Sequence, residues 1–275
     1  MRALCERKNP TQTIECRVLK NQPIAKNQWQ IWLKPEKLEF QNFEWGNFCM
    51  LSLPDLIDPL LPRPFAIVEA AQGTYSFIYR VHGKQTQRLA NLPQGYRVDV
   101  LGPLGRGIST EQLELGSAVF VAGGVGYASL MPLIQSLSEA ALGRAKLFYG
   151  IRTDLEAIRR GKLEPQFASD DGSLGYRGRL HELIRKEKFS ADSNFYICGP
   201  TPMMKACYDF LPPERSYYFL EETMGCGFGI CVGCVVSVND IGPDGKTKPE
   251  VHRVKSCLEG PMFLGSQLAH WRAEK

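Results

Sequence analysis

The sequence Glu221-Glu222-Thr223-Met224-Gly225-Cys226-Gly227-Phe228-Gly229-Ile230-Cys231-Val232-Gly233-Cys234 contains three cysteines in the spacing Cys-x4-Cys-x2-Cys, and Cys257 follows 23 residues later. Plant-type [2Fe–2S] clusters are held by four thiolates in this spacing. Glycines stand between the cysteines, and they can adopt the positive φ that lets backbone N–H groups approach an anionic cluster. The pattern predicts a [2Fe–2S] cluster whose ligands are Cys226, Cys231, Cys234 and Cys257.

A structural zinc site is the alternative for these four cysteines, because zinc is also held by four thiolates. Such sites usually use two Cys-x2-Cys pairs, whereas the first gap here is four residues long and rich in glycine. A disulfide framework is not expected, because nothing in the sequence indicates export and disulfide scaffolds are usually much shorter chains.

The composition is typical of a soluble globular protein, with 44% apolar and 23% charged residues in a chain of 275. The net charge of +4 is spread without a run of Lys or Arg, so neither a nucleic-acid-binding tail nor a membrane-binding patch is expected. No apolar stretch is long enough to span a membrane. Nine cysteines less the four predicted ligands leave five, an odd number that favours free thiols in a reducing cytoplasm.

The chain divides into three segments by its hydrophobic pattern. Short apolar runs broken by Pro, Gly and Asn predict an N-terminal antiparallel β-barrel over residues 11–112. Over residues 113–211, strand-like segments such as 117–122 alternate with helix-like segments at 128–142 and 155–162, which predicts a parallel α/β domain. Residues 212–275 hold the cysteines and are predicted to form a small third domain.

Two segments of the predicted barrel pair an arginine with apolar neighbours. Arg63-Pro64-Phe65-Ala66-Ile67 is one, and Ile78-Tyr79-Arg80 is the other. In a flavin-binding protein the arginines would pair with the diphosphate, and the neighbouring side chains would line or stack on the isoalloxazine ring. Taken alone, the segment at Arg63 is more consistent with an ordinary barrel strand that has an exposed arginine, and Tyr79 is as consistent with a surface residue of the barrel.

Two glycine-containing turns follow predicted strands of the α/β domain. Gly123-Gly124-Val125-Gly126 lies between an apolar strand and a helix, a context in which helix N-terminal N–H groups bind phosphate. Cys198-Gly199-Pro200 also follows a strand, so both turns are expected at the sheet edge where open α/β sheets bind ligands. Close strand–helix packing is the alternative role for the glycines, and Cys198 is as consistent with a small buried side chain.

These motifs, in this order, resemble the electron-transfer subunit of class 1B dihydroorotate dehydrogenase, within the ferredoxin–NADP reductase superfamily. The resemblance runs from about residue 11 to residue 268. It includes Gly102-Pro103-Leu104-Gly105, Asp170-Asp171-Gly172-Ser173 and the segment that follows Cys257, in addition to the motifs quoted above.

The resemblance implies three cofactors and a partner. FAD would be bound by Arg63, Pro64, Phe65, Ala66, Ile78, Tyr79, Arg80, Gln85 and Thr86. NAD would be bound across the α/β domain at Gly123, Gly124, Gly126, Cys198, Gly199 and Pro200. An FMN-containing catalytic subunit would oxidise dihydroorotate in a heterotetramer, and its electrons would pass through the [2Fe–2S] cluster and FAD to NAD+ in pyrimidine biosynthesis. The chain itself would contribute no residue to the dihydroorotate site.

The sequence departs from the family pattern at three places. Ala66 stands where relatives usually have Ser or Thr, and Gln85 replaces the glycine of a Gly-Thr turn. Tyr127-Ala128-Ser129 follows the nucleotide turn where the family usually has a proline-containing continuation. None of these departures removes a predicted cluster ligand.

Two other functions fit the same motifs. The chain could be the flavin subunit of another complex, such as a hydrogenase, a sulfide dehydrogenase or a bifurcating transhydrogenase. It could also be a non-enzymatic binding module stabilised by zinc. The choice of nicotinamide is open as well, because Arg152 and Asp154 after the predicted strand at 145–149 offer both the cation that favours NADP and the acid that favours NAD.

Overall fold

The N-terminal half forms a seven-stranded antiparallel sheet. The computed structural model describes residues 11–37, 40, 44–55, 58, 60–242 and 246–272. The strands are β1 (Gln12–Ala25), β2 (Gln28–Pro35), β3 (Phe48–Ser52), β4 (Arg63–Ala66), β5 (Glu69–Ala71), β6 (Thr74–Arg80) and β7 (Arg97–Leu104), with helix α1 (Lys84–Ala90) between β6 and β7. Their order in the sheet is β4-β3-β7-β1-β2-β6-β5.

Alternation of side chains explains why this sheet has one core. In β1, Ile14, Cys16 and Val18 are buried while the residues between them are exposed. The buried face packs on side chains from β2, β3, β6 and β7, including Ile31 and Phe77. Successive side chains of a strand point to opposite faces, so a period of two in hydrophobicity places one face in the core.

The second half is built on a parallel sheet with helices on its faces. The chain continues with α2 (Thr110–Leu113), β8 (Ser117–Gly123), α3 (Tyr127–Ser136), α4 (Glu139–Leu142), β9 (Lys146–Ile151), β10 (Gln166–Ser169), β11 (Tyr176–Arg177), α5 (Leu180–Arg185), β12 (Ser193–Cys198), α6 (Thr201–Tyr208) and β13 (Ser216–Phe219). These strands lie in the order β11-β10-β9-β8-β12-β13, and every neighbouring pair is parallel.

The C-terminal segment joins this sheet through one strand. It contains a hairpin of β14 (Val235–Ile241) and β15 (Thr247–Lys255), then α7 (Ser256–Glu259) and β16 (Met262–Leu264). The last strand pairs antiparallel with β13 and so extends the parallel sheet by one position. The two sheets confirm the predicted fold class, and the proposed domain limits at residues 112 and 211 stay predictions.

The helix predicted over residues 128–142 is interrupted. Helix α3 ends at Ser136, Leu137 is extended, and Ser138 starts α4 by accepting a hydrogen bond from the Ala141 N–H at 3.3 Å. A serine in this position stabilises a new helix start because its oxygen satisfies a free N–H group. Within the described ranges, no helix is long and apolar enough to cross a membrane.

The helix predicted over residues 155–162 is wrong. The chain makes only a 3-10 turn at Asp154–Glu156. The carbonyl of Leu155 accepts the N–H of Lys26 at 2.7 Å, and the carbonyl of Glu156 accepts the side-chain amide of Gln28. The β1–β2 hairpin therefore uses two carbonyls that a continuing helix would need. The same contacts join the antiparallel sheet to the parallel sheet.

Candidate functional site

A cavity of about 590 Å³ lies between the antiparallel and the parallel sheets. Its wall comes from β3, β4, β6 and α1 on one side, and from the start of α3 and the segment after β13 on the other. The predicted FAD residues in this wall are Arg63, Pro64, Phe65, Ala66, Ile78, Arg80, Gln85 and Thr86. Apolar walls with a few convergent polar groups are typical of cofactor sites.

Tyr79 is the predicted FAD residue whose side chain lies elsewhere. It is 2% exposed, packs in the core of the antiparallel sheet, and donates a hydrogen bond to Asn21 Oδ1 at 3.0 Å. Its neighbours Ile78 and Arg80 face the cavity, and alternation along β6 turns Tyr79 to the opposite face. The predicted stacking of the Tyr79 ring on a cofactor is therefore wrong.

Three cationic side chains line the cavity. The Arg63 guanidinium donates to the carbonyls of Leu61 and Pro62 at 2.9 and 3.2 Å, which fixes its direction. Arg80 ends β6 with its side chain exposed. Lys84 pairs with Asp58 at 2.8 Å, and the hydrogen bond from Lys84 lowers the pKa of that carboxyl. Arginine binds diphosphate oxygens in a planar, bidentate manner.

The first turn of α1 contains an unsatisfied acceptor. Thr86 Oγ1 accepts the N–H groups of His82 and Gly83 at 3.0 and 3.1 Å, so the loop is held against the helix start. Gln85 donates from Nε2 to the Leu51 carbonyl at 3.0 Å. Its Oε1 is buried and has no partner among the described residues. Buried acceptors are usually satisfied, so this atom in a cavity wall fits a ligand that carries hydroxyl donors, as the ribityl chain of FAD does.

The two glycine-containing turns meet at one edge of the parallel sheet. Gly123 ends β8, and residues 124–126 form a 3-10 turn that leads into α3. A Cβ on Gly126 would lie 2.6 Å from the carbonyl oxygen of Cys198, and one on Gly199 would lie 2.9 Å from the Gly123 backbone. Only glycine allows this approach, so both turns are brought together at the carboxyl ends of β8 and β12.

Glu221 and Ser129 belong to this edge of the cavity and were not identified from the sequence. The Ser129 hydroxyl lies 3.4 Å from Glu221 Oε1, and the Cys198 sulfur lies 3.5 Å from the same oxygen. The Glu221 side chain is exposed at the cavity edge. The protein around its carboxyl partly desolvates it and raises the pKa of Glu221, although the hydrogen bonds from Cys198 and Ser129 act to lower it. The available signal was the position of Glu221 two residues after the end of β13, a strand of the parallel sheet, where ligand-binding residues occur.

The cysteine loop, residues 225–234, has an irregular backbone. Gly227 and Gly229 have φ of 77° and 93°, and Val232 has φ of 53°. Burial acts to raise the pKa of Cys226, but the N–H groups of residues 228, 230 and 231 outweigh it and lower the pKa to about 6. A thiolate is the form that binds metal, so this loop favours the ligating state of Cys226.

Of the other predicted ligands, Cys231 and Cys234 lie in the loop and Cys257 lies in α7. Cys231 is exposed, whereas Cys234 and Cys257 are buried and 2% and 0% exposed. Burial raises the pKa of Cys257 to about 12, and a hydrogen bond with the Cys234 thiol and the charge of Cys234 add to the shift. In the described ranges, no three His, Cys, Asp or Glu side chains are gathered around one metal position. A two-iron cluster divides its four thiolates between two irons, and the donor set of four thiols with convergent N–H groups fits it.

The cavity and the cysteine loop share a wall. Phe48 and Met224 line the cavity, and both pack in an apolar cluster with Cys234 and Cys257. The same cluster contains Met50 and Leu104. Side chains of this one cluster therefore contact both sites, which places a group in the cavity and a group on the cysteines near each other.

Comparison with known proteins identifies relatives of the whole chain. Residues 221–269 match the model of the iron–sulfur cluster binding domain of dihydroorotate dehydrogenase B. A protein of Bacillus velezensis named dihydroorotate dehydrogenase B (NAD(+)), electron transfer subunit, is 33% identical over 259 residues, which cover 92% of this chain and 97% of that protein. A homologue of that subunit from Aquifex aeolicus is 31% identical and covers 91% and 96%.

Solved structures show the same fold. A structure of NADH-dependent reduced ferredoxin-NADP oxidoreductase, described for flavin-based electron bifurcation, superposes with a TM-score of 0.72 at 25% identity, covering 92% of this chain and 88% of that one. A ferredoxin NADP+ reductase from Neisseria gonorrhoeae with bound FAD and NADP has a TM-score of 0.60 at 16% identity, covering 72% and 89%.

Proposed function

The chain belongs to the family of dihydroorotate dehydrogenase B electron transfer subunits, and we propose that it relays electrons through a [2Fe–2S] cluster and FAD to NAD+. FAD supplies the conversion between one-electron transfer and two-electron hydride exchange. The donor is the FMN-containing catalytic subunit that oxidises dihydroorotate in pyrimidine biosynthesis. The shared wall of Phe48 and Met224 between cavity and cysteines is the observation that carries this proposal, because a relay needs its two sites in contact.

The cavity residues divide the binding of FAD between them. Arg63 and Arg80 bring two guanidinium groups for the diphosphate. Gln85 Oε1 would accept a hydrogen bond from a hydroxyl of the ribityl chain, because it has no partner among the described residues. Phe65 and Ile78 give an apolar wall for the ring system. Ala66 has no hydroxyl, so at this position the chain adds a methyl contact and no hydrogen bond.

The opposite side of the cavity is suited to the nicotinamide. The turns at Gly123–Gly126 and Cys198–Pro200 pack backbone against backbone at the carboxyl edge of the sheet, where open α/β sheets bind ligands. Their predicted NAD residues do not line the cavity, but Val125 and Ser129 beside them do. Glu221 holds its carboxyl between Ser129 and Cys198. The surrounding protein raises the pKa of Glu221, which disfavours negative charge at this edge of the cavity.

The surface of the cysteine loop is suited to the electron donor. Phe228, Ile230 and Val232 are 40%, 75% and 57% exposed, and Leu61 beside the loop is 53% exposed. A Cβ on Gly225 would lie 3.9 Å from Leu61, so Leu61 adjoins the loop that carries the other three exposed apolar side chains. Exposed apolar patches of this kind mark protein interfaces. The FMN-containing subunit docks here, in a heterotetramer with two copies of each chain.

The free thiols support a cytoplasmic location. All eight cysteines in the described part of the chain are free, and four of them, Cys16, Cys49, Cys198 and Cys207, are buried outside the cysteine loop. Disulfides are rare in reducing compartments.

The test is anaerobic reduction of the purified chain by NADH, followed by visible spectra and EPR. The flavin band should bleach, and an EPR signal of a reduced [2Fe–2S] cluster should follow, rising to about one spin per chain with dithionite. Zinc in place of iron, with no flavin, would establish the non-enzymatic binding module instead. A cluster that dithionite reduces and NADH never reduces would contradict the relay.

A second candidate is the flavin subunit of another complex, such as a bifurcating transhydrogenase, a hydrogenase or a sulfide dehydrogenase. The superposition on the NADH-dependent reduced ferredoxin-NADP oxidoreductase favours it. Affinity purification from the native cell separates the two. Recovery of a dihydroorotate dehydrogenase catalytic subunit, with dihydroorotate-dependent reduction of NAD+, supports the first candidate, whereas recovery of a different redox subunit supports the second.

A further inference from the structure

The loop after β9 carries a charged pair where a nucleotide ribose is expected. Strand β9 is the parallel neighbour of β8, which ends in the glycine turn. In doubly wound sheets the residues at the end of the second strand contact the ribose, where an acid selects NAD and an arginine accommodates the 2′-phosphate of NADP. Arg152 is the first residue after β9, so it lies where an NADP-selecting arginine would lie.

Arg152 is held by Glu156. The guanidinium donates from Nε to both carboxylate oxygens of Glu156 at 2.9 and 3.3 Å, and Nη2 donates to Oε1 as well. The backbone N–H of Arg152 lies 3.4 Å from Oε2. The Arg152 side chain is 58% exposed and that of Glu156 is 11% exposed. The Arg152 side chain is therefore exposed to solvent, but its Nε and Nη2 groups are already hydrogen-bonded to the Glu156 carboxylate.

Glu156 cannot move away easily, because its turn is fixed at three points. The Leu155 carbonyl accepts from Lys26 of the β1–β2 hairpin at 2.7 Å, and the Glu156 carbonyl accepts from the Gln28 side chain. The N–H of Asp154 donates to Ser173 Oγ at 2.8 Å. These bonds anchor the turn to the antiparallel sheet and to the loop after β10, so the carboxylate is preorganised toward Arg152.

The neighbouring charges reinforce the pair. Burial acts to raise the pKa of Glu156, but Arg152 outweighs it and the pKa is lowered, so the carboxylate stays charged at neutral pH. Asp170 is a second carboxylate that acts on Arg152. Of the cations on the same loop, Arg160 donates to Gln30 Oε1 at 2.7 Å and Arg159 lies over the Phe167 ring at 5.9 Å.

We propose that Glu156 determines the preference of this chain for NAD over NADP, by occupying Arg152 and by placing a negative charge where a 2′-phosphate would bind. The inference rests on the proposed function, since it concerns the nucleotide of that relay. Glu156 acts on NADP through Arg152 and is a positioning residue. A 2′-phosphate would have to displace a preorganised carboxylate, whereas a 2′-hydroxyl meets an acceptor.

The test compares NADH and NADPH in the flavin- and cluster-loaded chain. Stopped-flow reduction of FAD gives the second-order rate constant of reduction by each nucleotide, and calorimetry gives the Kd of adenosine 2′,5′-bisphosphate against AMP. Glu156→Gln should raise the NADPH/NADH ratio by about tenfold or more, the scale of one charge-assisted hydrogen bond. The double variant Arg152→Gln/Glu156→Gln should lose this gain. Glu164→Gln, an exposed carboxylate outside the pair, is the control.

A second variant keeps the test decisive if Glu156→Gln does not fold. Arg152→Gln removes an exposed side chain and leaves Glu156 uncompensated, so the NADPH/NADH ratio should fall below that of the wild type. A ratio that rises in Arg152→Gln, or stays at the wild-type value in a folded Glu156→Gln, overturns the proposal. If the wild type accepts electrons from neither nucleotide, the proposed function fails, and that result is distinct from a wrong specificity residue.

Discussion

The cavity and the cysteine loop are adjacent sites that are built in opposite ways. The cavity wall comes mainly from strands and helix starts, whose backbone is fixed by sheet hydrogen bonds. The cysteine loop has positive φ at Gly227, Gly229 and Val232, and its hydrogen bonds run from N–H groups to a cysteine sulfur. A site made by regular structure exists before its ligand, whereas this loop depends on glycine and on what the cysteines bind.

The largest expected effect is loss of the cluster from the cysteine loop while the cavity keeps its FAD. Cys257→Ala removes a buried predicted ligand, and because a [2Fe–2S] cluster needs four ligands, iron should fall from about two atoms per chain to near zero. FAD content should stay within about a factor of two, since no part of Cys257 lies in the cavity wall. Metal analysis and flavin absorbance measure both.

Cys207→Ala is the matched control, because Cys207 is also buried and free but lies in α6. Iron retained in Cys257→Ala would show that the fourth ligand lies elsewhere.

The next effect concerns the glycine geometry of the loop. A Cβ on Gly227 would lie 2.5 Å from Met50 Cγ and 2.8 Å from Leu104 Cδ1, at a φ of 77°. Gly227→Ala should lower the free energy of unfolding by about 2 kcal/mol or more, as left-handed backbone alone costs about 1–2 kcal/mol, and should reduce cluster content. Chemical denaturation and iron analysis test it.

Gly95→Ala separates conformational strain from steric clash. Gly95 has a φ of 82° and no atom within 4 Å of a built Cβ. Gly95→Ala should lower the free energy of unfolding, because of its left-handed backbone, but should retain the cluster. Equal loss of iron in both variants would mean that the packing at Gly227 is unimportant.

A smaller effect breaks the cavity and spares the loop. Arg80→Gln removes a cation from the cavity wall and should weaken FAD binding by about tenfold or more, the value of a hydrogen bond to a charged group. Iron content should not change. Arg88→Gln, an exposed arginine of α1 outside the cavity wall, is the control. Fluorescence titration of the apoprotein with FAD measures the affinity, and an unchanged Kd would remove Arg80 from the site.

The smallest effect is a pH dependence that comes from Glu221. Partial desolvation by the surrounding protein raises the pKa of Glu221 above its ordinary value of 4.5. A raised carboxyl pKa means that the folded state binds more protons than the unfolded state, so this group's contribution to stability falls as the pH rises from about 4.5 through the folded pKa. Because the Glu221 side chain is exposed and solvent screens its charge, Glu221→Gln should raise Tm relative to wild type by less than about 2 °C at pH 8, and by still less at pH 5.

Glu164→Gln, which changes an exposed carboxylate away from the cavity, should show no such difference. A Tm difference for Glu221→Gln that is equal at both pH values would contradict the raised pKa.

The sequence pattern predicted correctly those elements whose formation depends on neighbouring residues in the chain. The period of two in β1 and the strand before Gly123 follow from side-chain alternation and apolar burial, so both were predictable. The turn at Asp154–Glu156 was not, because its carbonyls bond to Lys26 and Gln28, more than a hundred residues away in the chain. Tertiary contacts of this kind override helical propensity.

The candidate site shows the same limit. The cysteine spacing and the arginines at the ends of apolar strands could be identified as motifs, because each motif is defined by residues close together in the sequence. The inward orientation of Tyr79 depends on the register of β6. A shift of one residue in that register would turn the side chain to the opposite face, and the sequence does not decide between the two. Glu221 and Ser129 are 92 residues apart, and only folding brings the carboxyl to the hydroxyl.

Met224 belongs both to the cavity wall and to the apolar cluster around Cys234 and Cys257. One side chain therefore sets the surroundings of two redox sites. A substitution at Met224 that changes the cavity wall also changes the packing around the cysteines. The two sites therefore cannot evolve independently at this position. Selection on either site at Met224 is therefore selection on both.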